Sequence, residues 1–140
     1  MNYTFSIIKP DAMSSRHQES ILRRIRNSGF SVMGISNRFL TEDEAKQFYS
    51  VHEGKPFFKD LIKFMTSGRI TVLALAYNGD AINSFRNLIG DTDPKESKVG
   101  TIRNLYGTDI GHNAIHGADS KENAKKEIIF FFPELEDKLI

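Results

Sequence analysis

Residues 113–120 read Asn-Ala-Ile-His-Gly-Ala-Asp-Ser, a run whose residue types could handle an anion. Gly117 follows His116 and lets the backbone turn closely; Asp119 and Glu122 then form a cap pair that opens a helix. A helix N-terminus carries partial positive charge and free N–H groups, so it attracts phosphate. Imidazole near neutral pH is largely deprotonated and nucleophilic. His116 is therefore a candidate phosphate acceptor, and the competing reading is an ordinary structural or surface histidine. Lys9, in Ile8-Lys9-Pro10-Asp11, closes a strand and is aimed from a rigid base. It could be an anion ligand, or a strand-end lysine that snorkels to water. Arg86, Thr92 and Arg103 surround a glycine-punctuated loop. Arginine is always charged and grips phosphate oxygens bidentately, so with Lys9 and His116 these residues begin to resemble a phosphate cage.

Several other chemistries are excluded. There is no G-x-x-x-x-G-K-[ST] run, no G-x-G-x-x-G and no H-E-x-x-H. His17, His52, His112 and His116 lack a recognised zinc spacing, and without cysteine there is no thiolate site or disulfide. Phe130-Phe131-Phe132 could suggest a stacking platform for single-stranded RNA, but burial of a strand explains it more cheaply.

The elements that must position these residues alternate along the chain. Tyr3–Ile8 reads as a strand bounded by Pro10, and a helix follows that ends at Ser28 before Gly29. Ile21, Leu22 and Ile25 share one face of that helix; Arg23, Arg24 and Arg26 lie largely elsewhere, as a solvated face or an anion-binding one. Phe30–Leu40 reads as a strand interrupted at Gly34. Thr41 and Glu44 have capping-box spacing, Pro56 starts a further helix, and Ile70–Tyr77 is a buried strand closed by the Asn78-Gly79 turn. Ala81–Ile89 reads as helix closed by Gly90; the segment 91–117 is a long loop, of the kind that is usually functional or disordered. A short helix to about Lys126 and a last strand at Ile128–Phe132 complete the pattern. Four strands with helices packed on one face predict an α+β sandwich.

With 140 residues, one domain spanning 1–140 is the natural count, and its 11 phenylalanines supply much of a core. A net charge of +1 argues against dedicated nucleic-acid binding. No apolar run approaches the roughly 20 residues of a membrane span. The N-terminus has no signal layout, so a cytoplasmic location is expected.

The motifs then carry a resemblance. NAIHGADS resembles the active-site signature of nucleoside diphosphate kinases, N-x-x-H-G-S/A-D-S, and IIKPDA resembles their first strand and turn. FYSVHEGKPFF, FMTSG, RNLIGDTDP and GTIR are similar to further family blocks in the same order, so the resemblance covers residues 1 to about 133. It implies a ferredoxin-like α/β sandwich with a four-stranded antiparallel sheet, and a ping-pong exchange of the γ-phosphate between nucleotides, typically from ATP, through a phosphohistidine. The histidine falls on His116, phosphorylated at Nδ1, and a glutamate holding its other nitrogen falls on Glu127, at the join of helix and last strand. By position, Lys9 reaches the sugar hydroxyl and phosphates, and Tyr49 sits beside the histidine and γ-phosphate. Arg86, Thr92 and Arg103 hold the phosphates, Asn113 binds the sugar hydroxyls, Phe57 stacks on the base and Leu61 lines that slot.

The resemblance implies Mg²⁺ held mainly by nucleotide phosphates, with no protein metal site. It implies broad base choice, because a stack uses the π face that every base has. The short chain resembles bacterial-type enzymes, which assemble as tetramers or hexamers. Ala118, Phe48, Arg69 and Val99 depart from the family's usual Ser, His, Pro and Pro, the last two bearing on assembly and stability. Against a catalytically weak binding-only relative stands the full set Lys9, Tyr49, Arg86, Arg103, Asn113, His116 and Glu127.

Overall fold

A computed structural model describes residues 2–140. Its strands are β1 (Asn2–Ile8), β2 (Ser31–Arg38), β3 (Ile70–Tyr77) and β4 (Ile115–Gly117). They form a four-stranded sheet in the order β2-β3-β1-β4, with every neighbouring pair antiparallel. The helices are α1 (Pro10–Ser14), α2 (Gln18–Asn27), α3 (Glu42–Phe48), α4 (Phe58–Met65), α5 (Ala81–Ile89), α6 (Ile102–Tyr106) and α7 (Lys121–Phe131).

The central strands are buried nearly throughout, even at Thr4, Ser6 and Thr71, because both faces of the sheet are covered. On one face Tyr3, Phe5, Ile7, Val72 and Ala74 pack against Ala45 of α3, Ile62 and Met65 of α4, and Ala124, Ile128 and Phe131 of α7. On the other, Ile8, Leu73, Leu75 and Ile115 meet Ile21, Leu22 and Ile25 of α2, Phe85 and Ile89 of α5, and Ile102 of α6. The expectation of helices on one face is corrected accordingly. The alternation along β1 and β3 requires two cores once both sets of side chains are buried.

Local signals act as their chemistry dictates. Thr41 Oγ1 accepts from the Glu44 backbone N–H at 3.1 Å while Glu44 Oε1 accepts from the Thr41 N–H at 3.0 Å, the reciprocal capping box. Asp80 caps α5 by accepting from the Asn83 N–H at 3.1 Å.

The end of the chain is where sequence pattern misleads. Ile128–Phe132 is not a strand: α7 continues through Phe131, and Phe132 is its C-cap. Buried Ala124, Ile128 and Phe131 recur at helical spacing, and a short apolar run cannot by itself distinguish strand from buried helix. The helix is capped one residue later than expected, by Ser120, whose Oγ accepts from the Asn123 N–H at 3.0 Å. Glu127 therefore stands on the helix and not at a helix–strand join. The fourth strand is β4, inside the segment read as loop, which also contains α6 capped by Thr101. Two helices, α1 and α2, replace the single one expected before Gly29.

Candidate active site

β4 pairs with β1 through Ile7↔His116 and Ile8↔Ile115. Ile115 belongs to the core under α5, so His116, its neighbour in an alternating strand, turns to the face covered by α7. There Glu127 meets it: His116 Nε2 and Glu127 Oε1 are 2.8 Å apart, with both side chains about one-fifth exposed (22% and 20%). A carboxylate can only accept, so Nε2 carries the hydrogen and Nδ1 is left with the lone pair. Phe5 and Phe48 wall the ring edge-on, at centroid distances of 6.0 and 5.9 Å.

His116 opens into a cleft of about 430 Å³ lined by Tyr49, Arg86, Thr92, Arg103 and Glu127 among others. Arg86 comes from the last turn of α5, and Gly90 ends that helix at a φ of +90°, where a Cβ would lie 1.9 Å from Ser97 Oγ. Only glycine lets the chain pass there. Gly117 serves a close approach of α5 to β4: a Cβ on it would lie 2.8 Å from Ile89 Cδ1.

Arg103, on α6, is buried and fixed by its own hydrogen bonds. Its Nη1 donates to the Gly90 carbonyl at 3.1 Å and its Nη2 to the Ile115 carbonyl at 2.8 Å. Burial pushes the guanidinium down to about 10, nearby Arg86 acts in the same direction, and Asp91 opposes both. It remains a cation at neutral pH, held near another cation. Burial, followed by the Glu127 charge, raises the Tyr49 phenol above its ordinary range, so Tyr49 is a protonated donor. Among the described residues, neither Tyr49 Oη nor Arg103 Nε has a hydrogen-bond partner, although both are buried. Donors left this way are costly, and phosphate oxygens are suitable acceptors.

The remaining expected residues lie off this wall. Lys9 Nζ donates to Asn113 Oδ1 at 2.9 Å, and Asn113 Nδ2 donates to the Thr92 carbonyl at 3.0 Å, so the two stand behind Thr92 as one network. Burial pushes the Lys9 ammonium down to about 8; Arg103 adds to this and Asp11 opposes it. Phe57 is exposed before α4, its ring 5.3 Å from that of His52, a cleft residue. Leu61, on α4, is half-buried against the core.

Sequence reasoning passed over Phe48, Asp91, Asp119 and Asn123 as lining residues, and Asp11 as a partner of Ala114. Only the position of Asp11 within IIKPDA hinted at its importance. Among the departures, Arg69 lies over the Phe39 ring at 5.4 Å and Val99 is 93% exposed. Ala118 is buried against the core. Arg24, one of the helix-face arginines, donates to the Gly100 carbonyl and ties the 91–101 loop to α2.

Fold and site define a class: an antiparallel α+β sandwich with a carboxylate-oriented imidazole and two guanidinium groups on one cleft. The chain belongs to the nucleoside diphosphate kinase family, whose model matches residues 2–136. It is 46% identical over 136 residues to the nucleoside diphosphate kinase of Syntrophotalea carbinolica, covering 97% of this chain and 98% of that protein. To the nucleoside diphosphate kinase of Dechloromonas aromatica it is 48% identical over 130 residues, 93% of this chain and 91% of that one. The solved nucleoside diphosphate kinase of Aquifex aeolicus superposes with a TM-score of 0.92 at 40% identity, over 96% of this chain and 97% of that one. That of Halobacterium salinarum, solved in complex with CDP, gives 0.88 at 36% identity over 94% and 87%. The fold is the ferredoxin-like α+β sandwich of these structures.

Proposed function

We propose that this chain is an active phosphotransferase of its family. It moves the γ-phosphate of a nucleoside triphosphate, typically ATP, to a nucleoside diphosphate in two steps through His116. In the first, the Nδ1 lone pair attacks the γ-phosphorus, the bond to the β,γ-bridging oxygen breaks, and its electron pair leaves with the diphosphate. In the second, a terminal oxygen of another nucleoside diphosphate attacks the phosphohistidine, and the N–P bond electrons return to Nδ1. The observation that carries this reading is the 2.8 Å bond between His116 Nε2 and Glu127. It orients the ring, leaves Nδ1 free, and stabilises the positive charge that the ring gains on phosphorylation.

The other roles are those that the family resemblance implies, and the cleft lining by Tyr49, Arg86, Thr92 and Arg103 supports four of them. Arg86 and Arg103 offset charge on the transferring group, Tyr49 donates its hydroxyl to it, and Thr92 holds the phosphates. Lys9 and Asn113 act as a joined pair toward sugar and phosphate. Phe57 stacks on the base, and its exposed ring supports that role; Leu61 lines the same slot. A stack without edge contacts makes base choice broad.

Mg²⁺ takes few protein ligands and prefers phosphate oxygens and water. Among the described residues no group of three or more metal-ligating side chains could hold an ion alone, while Asp91 and Asp119 line the cleft. This donor set fits an ion carried mainly by the nucleotide phosphates, with Asp119 or Asp91 available to its waters. Bound there, Mg²⁺ would neutralise phosphate charge.

Residues 1–140 work as one domain in the cytoplasm, with no membrane or nucleic-acid partner. No helix among the described residues is long and apolar enough to cross a membrane. The chain assembles as a homo-oligomer, tetramer or hexamer; Ile35 on edge strand β2 and Phe39 just after it, 45% and 58% exposed, support this.

The test is incubation with γ-labelled ATP and Mg²⁺. The expected result is an acid-labile, base-stable protein label, absent from His116→Ala and chased off by a nucleoside diphosphate. A label that survives acid, or persists in His116→Ala, refutes the mechanism.

A further inference from the structure

Ala114 is fully buried and has a φ of +75°, a conformation that side-chain-bearing residues rarely adopt. The Ile115 N–H donates to the Asn113 carbonyl at 2.9 Å across it. A bond spanning three residues with positive φ at the centre is the rare, strained form of γ-turn. It stands two residues before His116, at the start of β4. Two groups bracket it from just beyond the end of β1. The Lys9 N–H donates to the Ala114 carbonyl at 2.8 Å, and Asp11 Oδ2 accepts from the Ala114 N–H at 3.0 Å. A buried N–H needs a partner, and this one has a carboxylate. Asp11 sits in the first turn of α1, where Pro10 fixes the backbone, so the acceptor is rigidly mounted. Strain of this kind persists only where its surroundings over-determine it.

The geometry points to Asp11 as a positioning residue for His116: its carboxylate holds the strained turn at Ala114 from which the histidine strand departs. The inference rests on the phosphotransfer reading. Without the clamp, Ala114 relaxes toward negative φ and β4 shifts, moving Nδ1 relative to Arg86 on α5 and Tyr49 at the end of α3. A displacement of about 1 Å at a reacting atom can cost about 10²-fold in rate.

Three variants test this by single-turnover labelling of His116. Asp11→Ala should slow labelling by about tenfold to 100-fold, with the KM for ATP within about threefold of the parent. Asp11→Asn keeps an acceptor for the Ala114 N–H while removing the charge beside Lys9 and putting an NH2 where Oδ1 stands. It should recover most of the rate, to within about threefold of the parent. Adding Ala114→Gly to Asp11→Ala should also restore rate, because glycine holds positive φ without a clamp. Loss of global stability alone would lower the melting temperature without this pattern of rescue. Labelling of Asp11→Ala at the parent rate, or equal losses in both Asp11 variants, would overturn the proposal. Should Asp11→Ala fail to fold, Asp11→Asn decides, and a loss of about tenfold or more counts against the clamp. If the parent itself takes no label at His116, the phosphotransfer reading fails instead.

Discussion

Replacing Glu127 probes the bond on which the chemistry rests. His116 Nε2 and Glu127 Oε1 lie 2.8 Å apart, inside the range of charge-assisted bonds. Their side chains are 22% and 20% exposed, so water screens the interaction only in part. A hydrogen bond to a charged group contributes about 1.5–3 kcal/mol. If that is expressed fully as the ring gains positive charge, Glu127→Ala slows phosphorylation of His116 by roughly 12-fold to 160-fold. Glu127→Gln keeps an acceptor of the same shape. A neutral bond has about half the strength, so its loss is roughly 4-fold to 13-fold. Alanine is the best helix former, so α7 should persist in the Ala variant. Rapid-quench measurement of label transfer from ATP gives the rate directly. An Ala variant within about twofold of the parent would refute the reasoning, since the bond would then be no stronger in the transition state than before it.

Three further outcomes follow from side chains behind the cleft and at its edge. Burial sets the Lys9 ammonium at about 8, so the KM for nucleotide should rise as pH passes that value, and Lys9→Arg should remove the inflection; a pH profile of KM checks both. The same shift has a stability consequence of definite sign: between about 8 and the ordinary 10.5, the unfolded chain holds a proton that the folded one has released, so this group's contribution makes stability rise with pH in that window. Phe57→Ala should weaken nucleotide binding by roughly 1–3 kcal/mol for every base tested, and calorimetry showing unchanged affinity would remove the stacking role.

The amino-acid sequence determined whatever depends on neighbours along the chain. Thr41 and Glu44 cap α3 because their spacing alone brings each side chain to the other's N–H. β3 and α5 were legible in the apolar run of Ile70–Tyr77 and in the helical segment closed by Gly90. The run around His116 was legible because glycine, histidine and carboxylate types occur together there. Tertiary structure decided what depends on partners distant in sequence. β4 is three residues long and exists because β1 offers it an edge to pair with, a fact with no local signature. Ile128–Phe132 has strand-like composition, yet a cap at Ser120 and burial of Ala124, Ile128 and Phe131 on one side make Ile128–Phe131 part of a helix. That outcome, in turn, places Glu127 against His116. The strained turn at Ala114 was equally invisible, because Asp11 is local to Lys9 in sequence and local to Ala114 only after β1 and β4 have paired.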